Sequence, residues 1–254
     1  GIEVSGFFFG DWKAHGFTDV RHAIAVSSDV YFYTIGGGYG NIRGLGMEKI
    51  NEYERRFGFG EETGIDIPGE RSGFLPTSKW KQDRFKERWY IGDTYHASIG
   101  QGFVLATPLQ IAVATSVVAN SGTLWKPRVV GQIRSVGGEI RTIPPSLIRD
   151  RIVDPSILKV VREGMRLTVT DGTARSLETL PVPVAGKTGT AQFGTGKKTH
   201  GWFSAFAPYE NPVIAMVVLV EDQSEQETYN AVPISRDILE WYFREGHGKD
   251  SLKN

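Results

Sequence analysis

Two short stretches carry side chains that can do chemistry together. The first is Val184-Ala185-Gly186-Lys187-Thr188-Gly189-Thr190-Ala191-Gln192, which sets one ammonium beside two hydroxyls. A cation and two neutral donors at that spacing can hold a carboxylate. Gly189 leaves one rung without a side chain, so a ligand backbone can lie close against the chain there. The second is Ser27-Ser28-Asp29, a hydroxyl and a carboxylate two residues apart. Taken alone, each stretch also has a plain reading. The first fits an edge strand with an exposed lysine and threonines, the second a helix with a serine pair on its surface. The rest of the chain has to decide.

The elements that must position these groups come next. Residues 184–192 alternate β-branched and small residues, with Pro181 and Pro183 placed upstream where they cannot interrupt a ladder, so a strand is expected. Thr18-Asp19 offers an N-cap to a run with Val20 and Ile24 at helical spacing. That run enters Ser27-Ser28-Asp29 directly and ends at Gly36-Gly37-Gly38. On an unbroken helix Ser27 and Asp29 would point roughly 200° apart. Both can face one site only if the backbone turns between them.

Elsewhere the pattern predicts a loop-rich start over 1–17 with one short strand and an amphipathic helix from Met47 to Phe57. Residues 58–90 are punctuated by glycine and proline and read as irregular. Thr107-Pro108-Leu109-Gln110 is a capping box opening a largely apolar, hence central, helix. A hairpin is expected over 123–150 with its turn at Gly137-Gly138, and a helix from Asp154-Pro155 to about Leu167. Residues 170–174 read as a turn before a short helical piece. Two strands follow, Gly201–Ala207 and Val213–Val220, the second so continuously apolar that it should be covered on both faces. A last helix over about 234–244 puts Ile234, Ile238 and Trp241/Tyr242 on one side.

Composition narrows the classes. Lys+Arg and Asp+Glu are both 29, so no nucleic-acid or polybasic membrane binding is indicated. The absence of cysteine excludes disulfides and thiolate metal sites. The 254 residues suffice for a sizeable core, one large domain or most of one. No apolar run reaches transmembrane length. Asp11 and His15, four apart, would suit a metal on a helix, but in a glycine-rich stretch they read as structural; no metal and no cofactor is expected.

Ser-x-Asp followed far downstream by Lys-Thr-Gly resembles two of the three motifs of the penicillin-recognising serine enzymes. The similarity extends to Thr63-Gly64-Ile65-Asp66-Ile67-Pro68, to Ile99-Gly100-Gln101-Gly102 ahead of Thr107-Pro108-Leu109-Gln110, and to His200-Gly201-Trp202-Phe203-Ser204-Ala205-Phe206-Ala207-Pro208. These look like class B penicillin-binding proteins. Arg71-Ser72-Gly73 with Trp80-Lys81 looks like the elongation (rod-shape) branch.

The resemblance implies an α/β (α+β) transpeptidase fold of the penicillin-binding protein and serine β-lactamase type, an antiparallel sheet flanked by helices. It implies a D,D-transpeptidase on the outer face of the cytoplasmic membrane, acting in cell-wall elongation on D-Ala-D-Ala peptide stems and acylated by β-lactams. Partners implied are a SEDS-type glycan polymerase and other elongation-complex proteins. By position, Ser27 would relay a proton to the leaving amine and Asp29, standing where the family often has Asn, would bond the substrate amide. Lys187 would supply positive potential. Thr188 and Thr190, with Gly189 between them, would bind the terminal carboxylate, the Thr190 N–H forming half of an oxyanion hole whose donors are each typically worth about 3 kcal/mol.

One departure stands out. The family's Ser-x-x-Lys nucleophile should precede Ser27, and no such pattern lies there. The two matches, Ser78-Lys79-Trp80-Lys81 and Ser156-Ile157-Leu158-Lys159, fall in the wrong order. The expectation is therefore a partial transpeptidase domain over 1–254, with nucleophile segment, N-terminal domain and membrane anchor outside it and a sheet edge left uncovered. Asp29 and Lys187, if close, should favour each other's charged forms. The competing readings are a non-catalytic penicillin-binding or scaffold module contacting a cell-wall polymerase, and a serine β-lactamase or sensor of the same fold.

Overall fold

The computed structural model describes residues 1–194, 198–224 and 230–246. Its centre is an antiparallel sheet of three strands in the order β7 (Ala185–Phe193), β8 (Lys198–Ala207), β9 (Ile214–Ser224). In chain order the elements before it are β1 (Ile2–Val4), β2 (Phe7–Phe9), α1 (Val20–Val26), α2 (Asp29–Gly37), α3 (Met47–Arg56), α4 (Ser78–Phe85), α5 (Ile91–Ser98) and α6 (Pro108–Ala119). Then come β3 (Leu124–Lys126), β4 (Gln132–Arg134), β5 (Ile140–Thr142), β6 (Ser146–Arg149), α7 (Pro155–Thr170) and a 3₁₀ turn at Arg175–Leu177; α8 (Ala231–Arg244) closes the chain.

Side-chain alternation along β8 sorts the core into two layers. Phe203 and Ala205 point to one face, where Val184, Val232, Leu239 and Phe243 complete a buried cluster with α8. Phe206 points to the other, against Ile24 of α1, Ala119 of α6 and Met165 of α7. The sheet thus lies between α8 and the α1, α6, α7 layer, the α+β layering expected.

Helix α6 has the predicted cap. Thr107 Oγ1 accepts from the Gln110 N–H at 3.1 Å, and Gln110 Oε1 accepts from the Thr107 N–H at 2.9 Å. The buried Gln110 amide also donates to the carbonyls of Glu61 and Ser72 at 2.9 and 2.8 Å. One side chain therefore ties the 58–73 loop to the central helix.

Several expectations need correction. Residues 1–9 form a two-stranded hairpin rather than a loop with a single strand. The stretch 58–90 contains α4, capped by Thr77 Oγ1 accepting from the Trp80 N–H at 3.1 Å, and α5 follows it. The 123–150 hairpin is nested, β4 pairing with β5 and β3 with β6. Strand β9 has neighbours on both faces, Ile214, Met216, Val218 and Val220 packing against the cluster shared with α8 and Ala215 against the one shared with α6. It is nevertheless an edge of the described sheet, and its residues from Ile214 to Val220 are only half-buried. On α8 the expected side is split: Ile234, Ile238 and Trp241 face outward, 42, 40 and 56% exposed, while Tyr242 packs against the core cluster. The buried side is Val232, Ser235, Leu239 and Phe243 instead. No described helix is long and apolar enough to cross a membrane.

Candidate active site

Helix α1 stops where Ser27 turns left-handed, with φ 57° and ψ 54°, a conformation that costs a non-glycine residue on the order of 1 kcal/mol. Ser28 then caps α2, its Oγ accepting from the Tyr31 N–H at 3.4 Å. This break removes the angular conflict of a continuous helix, and Ser27 and Asp29 line one cleft of about 540 Å³.

Two residues hold the break in place. Asp11 Oδ2 accepts from Ser28 Oγ at 2.8 Å and from the Val30 N–H at 3.1 Å, a carboxylate at a helix amino end. Burial pushes the Asp11 carboxyl up, but these bonds outweigh it and hold it below the usual carboxylate range. The Trp12 indole Nε1 donates to the carbonyls of Val26 and Ser27, both at 3.1 Å. His15 Nε2 lies 3.3 Å from Asp11 Oδ1. Asp11 and His15 thus belong to the capping arrangement of the turn, and no cluster of three or more metal-ligating side chains occurs among the described residues.

The cleft wraps the free edge of β7. Lys187 pairs across the sheet with Ser204 and Gly189 with Trp202, so these point to one face; Thr188 and Thr190, opposite Phe203 and Gly201, point to the other. Lys187 Nζ donates to Ser27 Oγ at 2.8 Å and to the Thr188 carbonyl at 2.7 Å. Thr188 Oγ1 is 2.6 Å from Thr173 Oγ1. Thr173 sits in the turn after α7, its N–H on the Ala25 carbonyl at 3.2 Å. Gly172 beside it has no room for a side chain, since a Cβ would run into that carbonyl. All six sequence candidates, Ser27, Asp29, Lys187, Thr188, Gly189 and Thr190, line this cleft.

Gly189 has a further reason beside the one the sequence suggested. A Cβ there would meet Trp202 Cβ at 3.3 Å, so the missing side chain first makes room for the cross-strand tryptophan. Trp202 itself lines the cleft.

Electrostatics depart from the simple pair expected. Asp29 is pushed up to about 6, first by burial and then by the Asp11 charge, with Lys187 pulling the other way. Burial lowers Lys187 to about 8, against the opposing pull of Asp29. Each does favour the other's charged form, but desolvation outweighs that pull at both. At neutral pH both groups are still mainly charged, and a protonated Lys187 leaves the Ser27 hydroxyl hydrogen free to donate elsewhere.

The remaining Ser-x-x-Lys matches lie away from the cleft. Ser78 begins α4, and Lys81 Nζ is held by Asp93 at 2.6 Å. Ser156 is exposed at the start of α7, its Oγ donating to Asp154 Oδ1 at 2.6 Å. Among the cleft residues that went unremarked as site residues in the sequence are Trp12, Gln101, Thr173 and Trp202. Thr173 and Gln101 each neighbour a glycine, the available signal; nothing in sequence ties Trp12 to Ser27.

Residues 2–240 match the family model described as the penicillin binding protein transpeptidase domain. The chain belongs to that family. Over 258 aligned residues it is 34% identical to the peptidoglycan D,D-transpeptidase MrdA of Haemophilus influenzae, covering 93% of this chain and 38% of the relative. A solved complex between penicillin-binding protein PBP2 and MreC from Helicobacter pylori matches at 35% identity and TM-score 0.75, covering 95% of this chain and 44% of that one. Pseudomonas aeruginosa PBP2 in complex with WCK 5153 matches at 29% identity and TM-score 0.79, covering 97% and 55%. These relatives set the chain on the elongation-type class B branch, within the C-terminal part of the transpeptidase domain. The chain spans between about two fifths and just over half of their lengths.

Proposed function

We propose that this chain forms the stem-binding wall of a serine-type peptidoglycan D,D-transpeptidase, which cross-links D-Ala-D-Ala peptide stems through an acyl-enzyme and is acylated by β-lactams. The observation that carries the reading is the Lys187 to Ser27 hydrogen bond of 2.8 Å across the free edge of a strand with hydroxyls at Thr188 and Thr190.

A stem would add along β7 as an extra strand, its terminal carboxylate meeting the two threonine hydroxyls and the positive potential of Lys187. Asp29 would accept from the stem's amide. Ser27, held by the ammonium on its acceptor side, would relay to the departing D-alanine nitrogen the proton given up by the attacking serine, ending protonated as it began. Gly189 keeps Trp202 tight against the strand and so shapes the wall opposite the ligand. The Thr190 N–H would meet the tetrahedral oxygen. The attacking serine and its lysine would come from chain preceding these residues in the longer protein, because neither Ser-x-x-Lys match here reaches the cleft. An anchor in that longer protein would hold the domain on the outer face of the cytoplasmic membrane, beside a SEDS-type polymerase and an MreC-like scaffold.

Labelling of the longer protein with a fluorescent penicillin tests the reading. Covalent labelling is expected, and Lys187→Ala and Ser27→Ala should each slow it by about two orders of magnitude, the range for loss of an electrostatic or proton-transfer group. Absence of labelling in a folded protein would favour the non-catalytic scaffold instead, and rapid hydrolytic turnover of the label would favour a β-lactamase.

A further inference from the structure

Gln101 lies between Gly100 and Gly102, whose φ angles are 72° and 74°. It meets β7 across about ninety residues of sequence. Its Nε2 donates to the Thr190 carbonyl at 2.9 Å, and its Oε1 accepts from the Gln192 N–H at 3.3 Å. One side-chain amide therefore occupies an outward acceptor and the next outward donor of the strand, as a peptide unit of a neighbouring strand would. The loop that presents it is fixed to α5 by the Gln101 N–H on the His96 carbonyl at 2.9 Å and the Gly100 N–H on that of Ala97 at 3.0 Å. At the other end of the strand Arg166 Nη1 takes the Val184 carbonyl at 2.8 Å, and between the two ends Lys187 Nζ takes the Thr188 carbonyl at 2.7 Å.

The free edge of β7 is thus occupied at both ends, leaving the N–H groups of Thr188 and Thr190 facing the cleft. Strand addition is prone to slip, because each two-residue shift offers the same pattern of donors and acceptors and the same side-chain face. We propose that Gln101 is a positioning residue, a side-chain stop that fixes the register in which a peptide adds to β7. It prevents a ligand from sliding two residues toward Gln192 and so holds the scissile carbonyl opposite Thr190. This rests on the reading that a peptide adds along this edge.

The test uses the 254-residue chain, backbone-amide NMR and an N-acetylated D-alanyl-D-alanine probe. In the native chain the probe should shift the Thr188 and Thr190 amides and leave Gln192 unmoved. In Gln101→Ala, hydrogen exchange at the Gln192 amide should quicken by about tenfold, the loss of roughly one hydrogen bond. The probe should then shift Gln192 as well. Gln101→Glu keeps the size and the acceptor for Gln192, so in that variant Gln192 should stay protected and unmoved by the probe. Equal movement of Gln192 in native chain and Gln101→Ala would overturn the stop while leaving the edge-binding reading intact. No shift at Thr188 or Thr190 in any variant would overturn the reading itself and the proposal with it.

Discussion

At the scale of single residues the cleft is governed by desolvation of two opposite charges. Lys187 is depressed to about 8 and Asp29 raised to about 6, so both are ionised together only between those values. A function that needs both charges should follow a bell with limbs near pH 6 and pH 8, read as β-lactam acylation rate in the longer protein. Asp29→Asn removes the carboxylate that supports the ammonium, so the alkaline limb should move to lower pH and the acid limb should vanish. The stability signs differ between the two groups. Asp29 binds its proton more readily folded than unfolded, so its contribution weakens as pH rises from about 4 to about 6. Lys187 loses its proton more readily when folded, so its contribution improves as pH rises from about 8 toward 10.5. Thr188→Val deletes the hydroxyl bonded to Thr173 and should weaken carboxylate binding about tenfold by calorimetry with the N-acetylated dipeptide, the value of one hydrogen bond.

At the scale of elements, the loop tie at Gln110 is the most exposed to test. Gln110→Met keeps the volume but strands the carbonyls of Glu61 and Ser72, so a loss of about 2–4 kcal/mol is expected in denaturant unfolding. Thr107→Ala removes only the cap and should cost about 1 kcal/mol. Much of this level was legible. Local signals marked the Thr107 capping box, the strand around Lys187 and the stop of α3, because caps and alternation act within a few residues. The break at Ser27 was legible only as a condition, since the decision between one helix and two is made by Asp11 and Trp12 from another part of the chain. Helix α4 was hidden among glycines and prolines, its cap at Thr77 too short a signal. The orientation of α8 was misread because its apolar residues occupy two faces, and only packing against Phe203 selects the one bearing Leu239 and Phe243.

At the scale of the whole molecule, the described sheet ends in β9, an apolar strand with half-buried side chains, and α8 turns Ile234, Ile238 and Trp241 outward. Long apolar edges template association. This chain alone should therefore self-associate in sedimentation experiments, and Val217→Lys, one charge on that strand, should reduce the associated fraction without altering probe shifts at Thr190. The chain's continuous apolar run made the strand legible but not its neighbours, which lie outside any window of the sequence.

The sunken position of Lys187 has a further consequence for how ligands arrive. The chain carries no formal net charge, and among the described residues the cleft's one ammonium, that of Lys187, is withdrawn from solvent. Bulk counter-ions screen surface fields over roughly a Debye length and interior ones far less. Capture of an anionic ligand should then depend little on ionic strength, its association rate changing by less than about twofold between about 20 and 200 mM salt. Such a site would choose its ligand by the fit of its end group after collision, not by drawing charge toward it from solution.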